Sequence, residues 1–156
     1  MKGGEDMAGG KAPVVTIEPL VADFIAPEYK TSGAACFDVY IQEDLRIAGK
    51  HECVSQYVPL GFKAEIPEGY SLRLHMRSSV GRDYPIQLAN IEGIIDSDFT
   101  GEIKAIVRNL TNAAFYFRKG QRLFQLELVK DTRADIKVGV VTKETARGKE
   151  SGSTGK

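Results

Sequence analysis

The chain has 156 residues, enough for one domain with its own hydrophobic core. Lysine plus arginine balances aspartate plus glutamate at 21 each, which excludes a whole-chain electrostatic drive toward nucleic acid or an anionic membrane. Any anion site must therefore be a local cluster. The two cysteines, Cys36 and Cys53, form neither a disulfide framework nor a metal-ligand spacing, and reduced thiols are expected. No apolar run approaches the ~18 residues of a membrane span, and the first residues carry no apolar leader core. A soluble, cytoplasmic protein is expected.

Residues 1–13 are rich in glycine and charge and read as a flexible segment. A strand-like run follows at Val14-Val15-Thr16-Ile17, and Pro19 and Pro27 argue against a long helix between them. Cys36 to Ile41 is a second strand, with Asp38 in the middle of its apolar residues. Cys53 to Phe62 is a third, rich in Val, Tyr and Phe. Ile66-Pro67-Glu68-Gly69-Tyr70 is a tight turn, since Pro suits its second position and Gly its fourth.

Ser71 to Arg77 alternates. Leu72, Leu74 and Met76 face one way and Arg73, His75 and Arg77 the other, giving a half-buried strand with a basic outer face. Arg77-Ser78-Ser79-Val80-Gly81-Arg82 closes it with a guanidinium, two hydroxyls and a glycine-flexed turn. Those are donors suited to phosphate oxygens. Standing alone, such a stretch is more often a solvated turn.

Leu88 to Val107 reads as a β-hairpin. Ile91, Ile94 and Ile95 lead into a turn region of Asp96-Ser97-Asp98 with Thr100-Gly101. Ile103, Ala105 and Val107 then alternate with Lys104, Ile106 and Arg108. Asp96 directly follows two isoleucines, and partial desolvation there would make its carboxylate a better proton acceptor. An isolated Asp-Ser-Asp is otherwise an ordinary hairpin tip.

Ala113 to Phe117 is short and aromatic, Lys119-Gly120-Gln121 turns the chain, and Arg122 to Val129 is a strand. Its Phe124, Leu126 and Leu128 oppose Gln125 and Glu127. Ile136 to Thr142 is the last strand expected. No segment carries a helical period over ~11 residues, so the fold class is all-β, a sandwich or closed barrel spanning 14–142. Residues 143–156 have no apolar side chain larger than alanine and read as a flexible Gly/Ser-rich arm with phosphate-binding composition. His51 and His75 lie in no metal spacing, and there is no Walker loop or nucleophile elbow. Asn109-Leu110-Thr111 matches a glycosylation sequon that is idle without export.

In order and spacing, these stretches resemble the five motifs of the trimeric dUTPase family (deoxyuridine triphosphate nucleotidohydrolases). Gly33 to Val39 resembles the first motif, Arg77 to Gly81 the second, and Asn90 to Gly101 the third, closely. Gly120 to Leu126 resembles the fourth, and Arg147 to Gly155 the fifth. The resemblance implies a distorted, jelly-roll-like β-barrel that assembles as a homotrimer with active sites between subunits. It implies hydrolysis of dUTP to dUMP and pyrophosphate, which keeps uracil out of DNA and supplies dUMP for thymidylate synthesis. Asp96 would activate the water that attacks the α-phosphorus. Arg77, Ser78, Ser79 and Gln125 would hold phosphate oxygens. Asn90 and the backbone at Gly93, Ile94, Ile95 and Lys104 would read the uracil edge. The Phe99 ring, where the family usually has Tyr, would pack on the deoxyribose. Asp38 would position Mg²⁺ through water, and Arg147, Ser153 and Thr154 would close over the γ-phosphate.

The sequence departs from the pattern at three places. Cys36 stands where the first motif usually has Gly, Phe99 replaces Tyr, and the arm lacks the aromatic that stacks on uracil and is one residue short. Two other assignments share this kind of fold. A dCTP deaminase would need a glutamate where the chain has Ile106. A non-catalytic nucleotide-binding barrel would bind dUTP without turnover.

Overall fold

The computed structural model describes residues 12–142. Among them the chain forms eleven strands and one short helix. The strands are β1 (Thr16–Pro19), β2 (Cys36–Tyr40), β3 (Leu45–Ile47), β4 (Gln56–Pro59), β5 (Phe62–Glu65), β6 (Tyr70–Met76), β7 (Ile86–Leu88), β8 (Gly93–Ile95), β9 (Lys104–Asn109), β10 (Phe115–Phe117) and β11 (Arg122–Lys130). The helix α1 spans Ser78–Asp83. The all-β class read from the sequence holds.

Two sheets do most of the enclosing. One has the order β2-β11-β6-β8 and the other β4-β9-β7, both antiparallel throughout. The pairs β1-β5 and β10-β3 complete the strands. Period-2 patterning explains the core. Leu72 and Leu74 of β6, Phe124 and Leu126 of β11, Val39 of β2, and Ala105 and Val107 of β9 all turn inward and are buried. Ile41, Leu60, Phe62, Leu88 and Ile103 fill the space between. The opposite face of the four-stranded sheet is polar and half-buried, with Asp38, Gln125 and His75 in register across β2, β11 and β6.

Buried polar side chains tie the loops to this frame. The Gln42 carboxamide oxygen accepts the Ile25 N–H at 2.9 Å, and its Nε2 donates to the Ile25 and Tyr40 carbonyls at 3.0 and 2.8 Å. Asn109 Oδ1 accepts the Thr111 N–H at 2.9 Å and its Nδ2 donates to the Ala113 carbonyl at 2.8 Å. That sequon asparagine is therefore buried and committed to its own loop.

Four expectations are corrected. The run Cys53–Phe62 is not one strand: Gly61 takes φ +77° and separates β4 from β5. A Cβ there would lie 2.8 Å from Gln42 Cγ, so the break needs glycine on two counts. The turn after Arg77 is the one-and-a-half-turn helix α1, closed by Val80 and Gly81 N–H groups on the Arg77 carbonyl at 3.0 and 3.1 Å. It is too short to show a helical period. Ile136 to Thr142 forms no strand, and its Ile136 and Val138 side chains are exposed. An alternating apolar run is only a strand where a partner edge is present. Leu88 to Val107, lastly, is not a hairpin: its strands β8 and β9 lie in different sheets.

Candidate functional site

β8 and β9 do not pair with each other. β8 hydrogen-bonds to β6 as the edge of the four-stranded sheet, whereas β9 lies between β4 and β7 in the other sheet. The connection Asp96–Ile103 crosses from one sheet to the other. β7 reaches only Val107 of β9 and the Ala89 N–H only the Ile106 carbonyl, so Lys104 and Ala105 run past its end. The two strands splay where a hairpin would zip. Backbone groups at the β8 edge and the start of β9 are left for something other than each other.

That splaying opens a groove of about 570 Å³. Seven sequence-predicted residues line it: Asn90, Gly93, Ile94, Ile95, Asp96, Phe99 and Lys104. Tyr57 of β4, which the sequence reading missed, also lines it, as does its register partner Ile106 of β9, where a deaminase would need its glutamate. Phe99 is held over the crossing loop by its N–H on the Asp96 carbonyl at 3.1 Å. Gly101 lies under that ring; a Cβ there would meet Phe99 Cζ at 2.8 Å. Most of the lining side chains are apolar, with Asn90, Asp96, Glu102 and Lys104 as the polar ones, a mixture suited to a base and sugar.

Asp96 corrects the desolvation argument. β8 continues its alternation, so Ile95 is buried while Ile94 and Asp96 face outward. The two isoleucines therefore point to opposite sides and do not enclose the carboxylate. Near it, Lys104 pairs with Glu102 at 3.6 Å, so the groove carries little net positive charge of its own.

The cationic groups gather elsewhere. Arg77, Ser78, Gln125 and Asp38 border a second hollow of about 370 Å³, together with Lys30, Ala34, Ala35 and Cys36. It shares no lining residue with the groove. Ser79 falls on the other side of Arg77, in a third hollow with Arg122 and Gln121. Helix α1 causes this split, since adjacent residues of a helix point about 100° apart. Asp38 is 7% exposed and lies between two guanidinium groups. Its Oδ1 is 3.1 Å from Arg77 Nε and its Oδ2 accepts from Arg122 Nη1 at 2.8 Å. Arg122 had no assigned role in the sequence reading. Cys36 and Cys53 are unpaired. Burial, with Glu127 and Asp38 nearby, pushes the Cys36 thiol above its ordinary pKa. Arg147, Ser153 and Thr154 lie outside the described residues.

Among the described residues no group of three or more His, Cys, Asp or Glu side chains could hold a metal ion, and no helix is long and apolar enough to cross a membrane.

Known proteins resemble the chain along nearly its whole length. The dUTPase family model matches residues 22–155. A deoxyuridine 5'-triphosphate nucleotidohydrolase of Fusobacterium nucleatum is 35% identical over 133 residues, 83% of this chain and 89% of the relative. Its counterpart from Zymomonas mobilis is 35% identical over 139 residues, 88% and 92% of the two chains. In fold, the chain is similar to the Staphylococcus bacteriophage 80alpha dUTPase bound to dUpNHpp, with a TM-score of 0.77, 19% identity and 88% and 95% of the chains covered. The dUTPase of phage phi11 of S. aureus, described with a structural Mg(II) ion, gives a TM-score of 0.72 at 18% identity, over 83% and 98% of the chains. The family match spans the whole of the splayed groove, and the chain belongs to the dUTPase family.

Proposed function

We infer that the chain hydrolyses dUTP to dUMP and pyrophosphate. The observation that carries this is the groove between β8 and β9, which places Asp96, Phe99 and uncommitted strand backbone around one cavity of about 570 Å³. Backbone donors and acceptors at Gly93, Ile94, Ile95 and Lys104, with the Asn90 amide, suit the uracil edge. Cytosine exchanges donor for acceptor at that edge and would leave groups unpaired, which is strongly discriminating. The Phe99 ring suits the deoxyribose face and leaves no partner for a 2′-hydroxyl. Ile106 lines the same groove and has no proton to transfer, which favours hydrolysis over deamination of the base.

Asp96 is the general base. Its carboxylate takes a proton from the water that attacks the α-phosphorus, and the P–O bond to the β-phosphate breaks with pyrophosphate as leaving group. Arg77, Ser78, Ser79 and Gln125 hold the phosphate oxygens, supplying positioning and charge rather than a covalent group. Arg147, Ser153 and Thr154 of the arm close over the γ-phosphate and exclude bulk water.

The groove and the cationic hollow are separate on one protomer, which supports a homotrimer in which one subunit's groove meets another subunit's Arg77. Both oxygens of Asp38 already bear guanidinium groups, so its donor set fits an ion carried on the triphosphate and touched through water, not a protein cage. Mg²⁺ so bound would neutralise charge on the phosphates. A soluble nucleotide substrate fits a cytoplasmic enzyme with no nucleic-acid or membrane partner.

The test is pyrophosphate release in Mg²⁺ from dUTP, dCTP, dTTP and UTP separately. Release from dUTP alone is expected; release from several nucleotides would refute base reading by the groove, and release from none would refute the hydrolase. Asp96→Asn is expected to lower kcat by about 10²–10⁴-fold while binding of a non-hydrolysable dUTP analogue persists.

A further inference from the structure

The strand β11 contains an irregularity that places one side chain where alternation would not. Counting back from Leu126 and Phe124, both buried, Arg122 belongs on the core face. The ladder to β2 instead shifts between Arg122 and Phe124: Phe124 faces Val39, and Arg122 faces Tyr40, on the same side as Asp38. Leu123 and Phe124 both enter the core, and the extra residue rotates Arg122 outward. Bulges of this kind re-aim side chains beside active sites.

The re-aimed guanidinium has a specific target. Arg122 Nη1 donates to Asp38 Oδ2 at 2.8 Å, and its carbonyl accepts from Arg77 Nη1 at 3.3 Å. Asp38 Oδ1 meets Arg77 Nε at 3.1 Å. Arg77 is thereby held at two of its nitrogens, and among the described residues Nη2 has no protein partner. Asp38 is nearly fully buried, and among the described residues these two cations are the ones paired with its charge. Without Arg122, its second oxygen would be free to take the Arg77 fork in the bidentate mode that guanidinium and carboxylate prefer. That would draw Arg77 away from the hollow it shares with Ser78 and Gln125.

We propose that Arg122, aimed by the β11 bulge, is a positioning residue: it occupies one oxygen of Asp38 so that Arg77 presents the free end of its fork to the substrate phosphates. The proposal rests on the dUTP-hydrolysis reading and assigns no substrate contact to Arg122 itself.

The test is a double-mutant cycle of Arg122→Gln and Asp38→Asn, with KM and kcat for dUTP and the thermal midpoint of each variant. Each single change is expected to raise KM about tenfold, with kcat moving less than about threefold. In the Asp38→Asn background, Arg122→Gln is expected to add less than about twofold, because the two act through one network. Arg122→Lys, which keeps a cation on Asp38, is expected to stay within about threefold of the parent KM and covers the case in which Arg122→Gln fails to fold. Multiplying losses would mean that Arg122 meets the substrate on its own, and a fall in thermal midpoint with unchanged KM would mean a purely structural role. Either overturns the proposal. If the parent protein turns over no dUTP, the hydrolase reading falls separately, and the same cycle is read on calorimetric binding of inorganic tripolyphosphate, with the same criteria.

Discussion

Cys36 shows how one side chain takes its chemistry from its neighbours. Its thiol borders the cationic hollow, yet burial and the carboxylates of Glu127 and Asp38 favour the protonated form. Because the thiolate is the nucleophile, Cys36 should react with iodoacetamide more slowly than a free cysteine at neutral pH. Its rate should still be climbing with pH above ~8.5, where a free thiol begins to level. Mass spectrometry of the alkylated peptide over a pH series checks this, and a plateau at or below the free-thiol value would contradict it. The sign for stability follows: the folded state prefers the neutral thiol, so this contribution is present at neutral pH and is lost as pH rises past the unfolded-state value. Asn109 is the second case. Both ends of its buried amide bond its own loop, so Asn109→Ala should cost about 1–3 kcal/mol in urea unfolding, since it strands the Thr111 N–H and leaves the Ala113 carbonyl only the Thr111 hydroxyl. The arm supplies a third. An aromatic placed by Ser151→Phe should lower KM for dUTP by about tenfold, given stacking of ~1–3 kcal/mol per base. An unchanged or higher KM would mean that an aromatic at this place in the arm does not stack on the base.

At the scale of elements, the site depends on breaks in regular structure. β4 and β5 are separate because Gly61 takes a left-handed φ and has no room for a Cβ. Gly61→Ala should therefore destabilise the fold by at least ~1 kcal/mol, measured as a lower urea midpoint with an unchanged slope. The β11 bulge brings Arg122 to Asp38, and helix α1 sends Ser78 and Ser79 to different sides of Arg77. The splaying of β8 from β9 is the largest such break and makes the groove. Regular patterning was legible in β9, in β6 from Leu72 onward and in β11 from Phe124 to Glu127, where inward and outward residues fall as alternation predicts. The breaks were not legible, since each is one residue or one partner choice inside an apolar run. Counting by twos puts Arg122 in the core; only the ladder to β2 shows otherwise.

At the scale of the whole molecule, the groove between β8 and β9 and the cationic hollow share no lining residue within one chain. If active sites form between subunits, two inactive chains can repair each other. Asp96→Asn and Arg77→Gln variants, unfolded together and refolded as mixed trimers, should regain about a quarter of parental activity, because random assembly pairs an intact Asp96 with a neighbour's intact Arg77 that often. Each variant refolded alone should stay inactive. No recovery in mixed trimers, confirmed as mixed by mass, would place both residues in the same subunit's site.

The sequence by itself determined the all-β class, most of the inward positions of the long strands and the family to which its motifs point. Those are local properties: alternation over a few residues, turn composition and the donors that a phosphate or a base edge requires. It also brought Asn90 through Lys104 to one groove, because those residues are close along the chain. Only the tertiary structure decided that the groove is a gap between two sheets, that Asp96 is exposed in the protomer, and that Asp38 is shared by Arg77 and Arg122. Strand partners, bulges and ion pairs between residues far apart in the chain depend on which edges meet, and no local pattern carries that choice.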